Sequence, residues 1–313
     1  MRKRSAGKSS RGTARRAPTK KRPFRTIVII GVGLIGGSIG MAVRKKRLAE
    51  TVIGVGPRED ELKRAVALKA IDAYATDDRK IKKAVEGADL VVLAAPVGRL
   101  ETAARDLSSA LPKKTVVTDV GSVKGALVRR LEESFSSDAS GRSRFVGGHP
   151  IAGRETSGVG AASAGLFSDA LCILTPTGRT DPKAIETVKR FWEAIGARTV
   201  SMDPDAHDRI LAIVSHLPHL VAYALVNTVL DLQSKNGDLL SYSGGGLRDF
   251  TRVAASSPEM WRDICLFNRD NLLAVIEAFE IILDRLKRLM VEGNGEALRR
   301  EFERAKAVKE KLK

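Results

Sequence analysis

Cysteine is scarce in this chain. Its 313 residues hold only Cys172 and Cys265, which show neither pairing nor metal-ligand spacing. That argues against a disulfide scaffold or a structural metal site. It fits small buried thiols in a reducing compartment, hence the cytoplasm. No apolar stretch reads as long and uniform enough to span a membrane, and no signal-peptide core follows Met1. Acidic residues are absent from residues 1–25, which carry eleven Lys and Arg and leave +6 of the net +17 for the remainder. With almost no large apolar groups, this tail cannot offset its ordering entropy and is expected to be disordered. It could touch nucleic acid by counterion release, but a solvated extension is the simpler reading.

Against those absences stand a length that favours two domains and a 43% hydrophobic content, sufficient for real cores. Short β-branched runs recur at 26–32, 51–56, 90–96, 115–121, 144–148, 170–177 and 197–202. Most are continuously apolar, as strands covered on both faces should be. Helical patterns such as 61–70 and 124–135 lie between several of them. The alternation predicts an α/β fold with a doubly wound parallel sheet over 26–203. The stretch 136–143 reads as a surface loop. Past residue 203 the strands stop, and 204–313 reads as all-α. Pro218 should kink or divide the first long helix. The pattern at 271–290 is apolar on nearly every side, which suits a subunit interface, and 296–313 reads as a charged closing helix.

The first strand runs into Gly31-x-Gly33-x-x-Gly36, followed by a helical pattern opening with Leu34 and Ile35. In a dinucleotide-binding turn the first glycine permits the tight turn and the second admits the pyrophosphate. The third lets helix and strand pack closely, and the helix N-terminus offers free N–H groups to the anion. Ala95 and Pro96, closing the 90–96 run, complete the expected cofactor contacts. Where an NAD site usually places a carboxylate, this chain has Gly56, Pro57 and Arg58. Arg58 could pair with a 2′-phosphate, so the sequence leans towards NADP or dual use of NADP and NAD.

Four further segments carry chemistry. They are Gly147-Gly148-His149-Pro150-Ile151-Ala152-Gly153, Thr118 to Lys124 around Ser122, Ser215-His216-Leu217-Pro218-His219, and Gly244 to Arg252, with Pro258 and Trp261 after it. Together with the fingerprint these motifs resemble the prephenate dehydrogenase family, which includes arogenate and cyclohexadienyl dehydrogenases. The resemblance runs from about residue 26 to 290 with the motifs in family order. It implies oxidative decarboxylation of prephenate to 4-hydroxyphenylpyruvate, within tyrosine biosynthesis. Arogenate, converted directly to tyrosine, is the alternative substrate.

The resemblance also implies roles. His149 would accept the proton of the substrate's C4 hydroxyl, and Ser122 would bridge hydroxyl, histidine and nicotinamide. Ser122 could equally cap the helix from Val123, and one hydroxyl could do both. Arg252 would clamp the ring carboxylate, with Arg248 as a further basic group. His219 would contact the substrate side chain, Gly245 would let backbone approach it, Trp261 would wall the site, and Glu155 would gate it. His216 reads as a packed helix residue. His216 and His219 have no carboxylate at ligand spacing, so no metal is expected. A homodimer through the 271–290 helix is implied. Other two-domain dehydrogenases of β-hydroxyacid or imine substrates usually place a lysine on the long helix, where this chain has SHLPH.

Overall fold

The computed structural model describes residues 22–136, 141–154 and 156–311. Eight strands form one sheet in the order β3-β2-β1-β4-β5-β6-β7-β8. Their ranges are β1 Phe24–Ile30, β2 Ala49–Val55, β3 Ala73–Ala75, β4 Leu90–Leu93, β5 Val116–Asp119, β6 Phe145–Pro150, β7 Leu171–Thr175 and β8 Arg198–Ser201. Helices α1 (Leu34–Lys46), α2 (Glu59–Ala67), α3 (Asp78–Glu86), α4 (Val97–Ser108), α5 (Gly125–Ser134) and α6 (Pro182–Ile195) cover its two faces.

The period of two in each strand sorts side chains between two cores. Ile27, Ile29, Leu90 and Val92 enter the core beneath α1, α2 and α6. Val28, Ile30, Val91 and Leu93 enter the opposite core, beneath α3, α4 and α5. Both sets are buried, which explains why the strands read as unbroken apolar runs.

Four features depart from the sequence reading. β3 has three residues and no β-branched run, yet it pairs with β2 through Ile53–Ala73 to Val55–Ala75. The sheet is also not wholly parallel. β7 runs antiparallel to β6, with His149 opposite Ile173, and β8 is parallel to β7. The connection from Pro150 to Leu171 holds only the short 3₁₀ turn Val159–Ala161 among its described residues. Without a crossover helix to carry the chain back along the sheet, the next strand enters reversed. The expected tail boundary also shifts, because β1 begins at Phe24 and residues 1–21 lie outside the described residues. In the loop at 136–143, Ser136, Gly141 and Arg142 are exposed as expected, but Ser143, which bridges Ser136, is buried.

The second part is helical: α7 (Pro204–Leu211), a π turn (Ala212–His216), α8 (Leu217–Asn236), α9 (Gly245–Thr251), a 3₁₀ turn (Arg252–Ala255), α10 (Pro258–Phe267), α11 (Arg269–Val291) and α12 (Gly295–Lys309). Pro218 explains the π turn. It has no N–H to donate, and its ring would crowd the carbonyl four residues back. The preceding turn widens, and Leu217 N–H donates to Ala212 five residues back. Trp261 and Ile264 of α10 join the core under α4 and tie this part to the sheet.

The run Pro204–Gln233 has the length and apolarity to cross a bilayer, with a mean hydropathy of 1.6 over its best window. This corrects the expectation that no stretch has them. Its first turns are committed elsewhere: His207 and Asp208 bond into the sheet domain. Beyond them, Leu230, Leu232, Leu273, Ile281, Ile282 and Leu283 leave α8 and α11 with exposed apolar side chains in the single chain.

Candidate active site

The cofactor turn joins β1 to α1. Gly31 has a φ of +93°, and a Cβ there would meet the Ala94 carbonyl oxygen at 2.7 Å and the Ala95 nitrogen at 2.9 Å. A Cβ on Gly36 would lie 2.0 Å from the Gly31 carbonyl oxygen, so only glycine lets α1 start so close to its strand. Gly33 is different, because a Cβ there would meet nothing within 4 Å. That open space lies at the N-terminus of α1, where Gly33 occupies the cap position without a side-chain cap. These residues fit a dinucleotide pyrophosphate, with Leu34, Ile35 and Gly36 supplying the first-turn N–H groups.

Arg58 caps α2 from an extended backbone, and its exposed guanidinium reaches Glu61 only at 3.9 Å. Glu59, which could have stood in for the missing carboxylate, starts α2 and accepts from the Tyr74 hydroxyl at 2.9 Å. Pro96 caps α4, beside the Ala94–Ala95 segment that touches Gly31.

Beyond this turn, the end of β5 is held by a buried cluster. Lys124 Nζ donates to Asp119 Oδ2 at 2.7 Å and to the Gly121 carbonyl at 2.6 Å. Asp119 in turn accepts from Gly121 N at 2.8 Å and, through Oδ1, from Gly148 N at 3.0 Å. One carboxylate thus fixes both the turn that carries Ser122 and the strand that carries His149. Ser122 is half-buried in that turn. It does not cap α5, whose cap is Lys124 without a side-chain cap bond. The cap comes instead from the helical domain, where Asp208 accepts from Lys124 N and Gly125 N, each at 2.8 Å. A carboxylate at a helix N-terminus meets both its free donors and its positive dipole end.

His149 is the penultimate residue of β6 and is 8% exposed. Its Nδ1 lies 2.8 Å from His207 Nε2, and His207 Nδ1 lies 2.8 Å from Asp208 Oδ1. Burial pushes the His149 imidazole well below the usual histidine range; the charge of Lys124 acts the same way, as would His207 and His216 when protonated. It is therefore neutral at neutral pH and able to accept a proton.

The next layer comes from the helical domain. Asn268, capping α11, donates to the Asp208 carbonyl at 2.9 Å and to His216 Nδ1 at 3.0 Å. Burial lowers His216 to about 4. His216 sits edge-on to Trp261, and His219 stacks on the same indole with ring centroids 4.0 Å apart. His219 Nδ1 donates to the Ser215 carbonyl at 2.9 Å, which leaves Nε2 as an acceptor, and burial lowers its pKa. Arg248 and Gly245 on α9 and Arg252 at the 3₁₀ turn are exposed, on elements packed against α8. Glu155 lies outside the described residues.

Comparison with known proteins follows the same two parts. The family "Prephenate dehydrogenase, nucleotide-binding domain" matches residues 39–201, and "Prephenate dehydrogenase, dimerization domain" matches 203–304. The chain belongs to the prephenate dehydrogenase family. A cyclohexadienyl dehydrogenase of Zymomonas mobilis is 38% identical over 93% of this chain and 97% of its own length. A prephenate dehydrogenase of Bacillus subtilis is 35% identical, over 92% and 76% respectively. Among solved structures, a prephenate dehydrogenase from A. aeolicus in complex with hydroxyphenyl propionate and NAD+ superposes with a TM-score of 0.87. It is 40% identical and covers 92% of this chain and 98% of that one.

Within this prephenate dehydrogenase fold, the structure gathers His149, Ser122, His219 and Trp261 around the junction of sheet and helical domain. Sequence reasoning missed His207, Asp208, Asp119, Lys124 and Asn268. Asp119 and Lys124 lie within the Thr118 to Lys124 segment, and His207, the fourth histidine, stands beside an aspartate in Asp205-Ala206-His207-Asp208.

Proposed function

We propose that this chain catalyses the oxidative decarboxylation of prephenate to 4-hydroxyphenylpyruvate with NAD(P). The observation that carries this reading is a neutral, buried His149 at the carboxyl end of β6, beside the Ser122 turn and on the sheet that holds the dinucleotide turn. When bound at the glycine turn, NAD(P) would supply the hydride acceptor for oxidation at C4 of the substrate ring. His149 takes the proton of the C4 hydroxyl, a transfer that typically contributes ~10²–10⁴ in rate. Ser122 orients that hydroxyl. With the carbinol becoming a carbonyl, loss of the ring carboxylate as carbon dioxide restores aromaticity.

Arg252 pairs with the ring carboxylate, and Arg248 adds positive charge nearby. His219 meets the substrate side chain through its free Nε2, while Trp261 walls the pocket and holds His219 in place by stacking. Gly245, near the start of α9, gives the backbone room to approach. Glu155 gates the pocket. Gly31, Gly33 and Gly36 would hold the cofactor's pyrophosphate, and Arg58, whose guanidinium reaches Glu61 only at 3.9 Å, suits a 2′-phosphate. We place the chain in the cytoplasm as a homodimer. Two unpaired cysteines and the exposed apolar faces of α8 and α11 support that reading.

The test is nicotinamide reduction by the purified chain in parallel titrations of NAD and NADP, with prephenate and with arogenate. Turnover with prephenate is expected. Turnover with arogenate alone would overturn the substrate, and failure with both would overturn the reaction.

A further inference from the structure

The donor and acceptor pattern around His149 can be read from its far end. Asp208 accepts two backbone N–H groups, one on each carboxylate oxygen, and among the described residues its only ion-pair partner is His207. An ionised carboxylate can only accept, so the hydrogen in the 2.8 Å contact must sit on His207 Nδ1. In the neutral form of His207, Nε2 is then bare and accepts from His149 Nδ1 across the other 2.8 Å contact. That leaves His149 Nε2 bare.

We propose that His207 and Asp208 form a relay that locks His149 with its proton on Nδ1 and takes up positive charge when Nε2 receives the substrate proton. This assigns His207 as a positioning residue for the reaction, and it rests on the reading of His149 as the base given above. The relay balances. The C4 hydroxyl proton bonds to His149 Nε2 while the Nδ1 proton passes to His207 Nε2. His149 ends neutral, and the imidazolium is His207, against the Asp208 carboxylate.

The surroundings favour that direction. Lys124 faces His149, and its charge opposes an imidazolium there; the counter-charge on Asp119 is already engaged by Lys124. Cys172 of β7 and His216 of the π turn are the other titratable neighbours, and burial keeps both uncharged at neutral pH. Asp208 is thus the carboxylate available to a second charge. The relay spans the two domains: His149 comes from the sheet, and His207 and Asp208 come from α7. The same Asp208 also caps α5, so one carboxylate fixes both the domain junction and the tautomer of the base.

Two measurements test it. First, two-bond ¹⁵N–¹H spectra of the histidine-labelled wild-type chain at neutral pH report each tautomer without any turnover, with His149 assigned by loss of its signals in His149→Gln. The proton is expected on His149 Nδ1, and a proton on Nε2 would overturn the relay. Second, His207→Gln is assayed by kinetics. We expect kcat to fall more than ~10-fold with KM held within about twofold, the pattern of an interaction made only in the transition state. The acidic limb of kcat/KM should also move to lower pH, because the charged base has lost its acceptor. Wild-type kcat with an unmoved limb would overturn the proposal. If that variant does not fold, or if prephenate proves not to be the substrate, the wild-type tautomer still decides the relay.

Discussion

Lys124 Nζ lies 2.7 Å from Asp119 Oδ2, and neither side chain is exposed to solvent. The pair joins the turn after β5 to the strand of His149, because Asp119 also accepts from Gly148 N. Removing one member of a buried pair strands the other charge. Lys124→Met is expected to cost ~3–5 kcal/mol in urea unfolding. A loss below ~1 kcal/mol would mean that the carboxylate finds another partner or a proton.

The three glycines of the fingerprint should separate by phenotype. Gly36→Ala puts a Cβ against the Gly31 carbonyl oxygen, so the melting temperature should fall and cofactor binding should weaken with it. Gly33→Ala meets only open space in the chain, so stability should hold while the Kd for NAD(P) rises about tenfold or more, as a methyl enters the pyrophosphate's approach. A Gly33→Ala chain that binds cofactor normally would move the pyrophosphate elsewhere.

His149 and Arg252 should divide kcat from KM. His149→Asn is expected to lower kcat by ~10²–10⁴ with prephenate KM little changed. Arg252→Gln should raise KM by about tenfold or more while leaving cofactor affinity alone. Steady-state kinetics with cofactor titrations reads both, and an unaltered KM in Arg252→Gln would remove that residue from the site.

Acid should loosen the domain junction. The folded-state pKa of His216 is about 4, below its unfolded value near 6.5, because the ring is buried. The unfolded chain therefore binds more protons between those values. Stability is complete above about pH 6.5 and declines by on the order of 3 kcal/mol as pH falls to about 4. Burial of His149 acts in the same direction. Urea midpoints from pH 7 to pH 4.5 should fall in the wild type and fall less in His216→Gln. Parallel curves would show that other groups control acid unfolding.

Cofactor choice should follow Arg58. Reversing its charge in Arg58→Glu is expected to raise KM for NADP far more than for NAD, since only NADP carries the 2′-phosphate. An unchanged ratio would mean that the guanidinium points away from the ribose.

Much of this protein was legible in one dimension. The strands of the sheet domain declared themselves because Ile27 to Ile30 of β1 and Leu90 to Leu93 of β4 are covered on both faces and so form unbroken apolar runs. The glycine fingerprint was equally plain, since a positive φ at Gly31 and a missing Cβ at Gly36 are local requirements of one turn. Pro218 likewise marked its own break, because a lost N–H acts within one helical turn. The three-residue β3 was not legible, because it depends on pairing with β2 rather than on its own residues. The reversal of β7 is set by a connection without a crossover helix among its described residues, which no period within the strand records.

The interior of the candidate site divides in the same way. His149, Ser122, His219 and Arg252 stand in motifs that the sequence displays. Their partners do not: His207 is 58 residues from His149, and Asp208 is 84 from the Lys124 nitrogen that it caps. Local sequence sets backbone preference and the pattern of burial. Which donor meets which acceptor across a domain junction is decided only when α7 packs against α5. Each buried polar group must then take a partner from what that packing brings within reach.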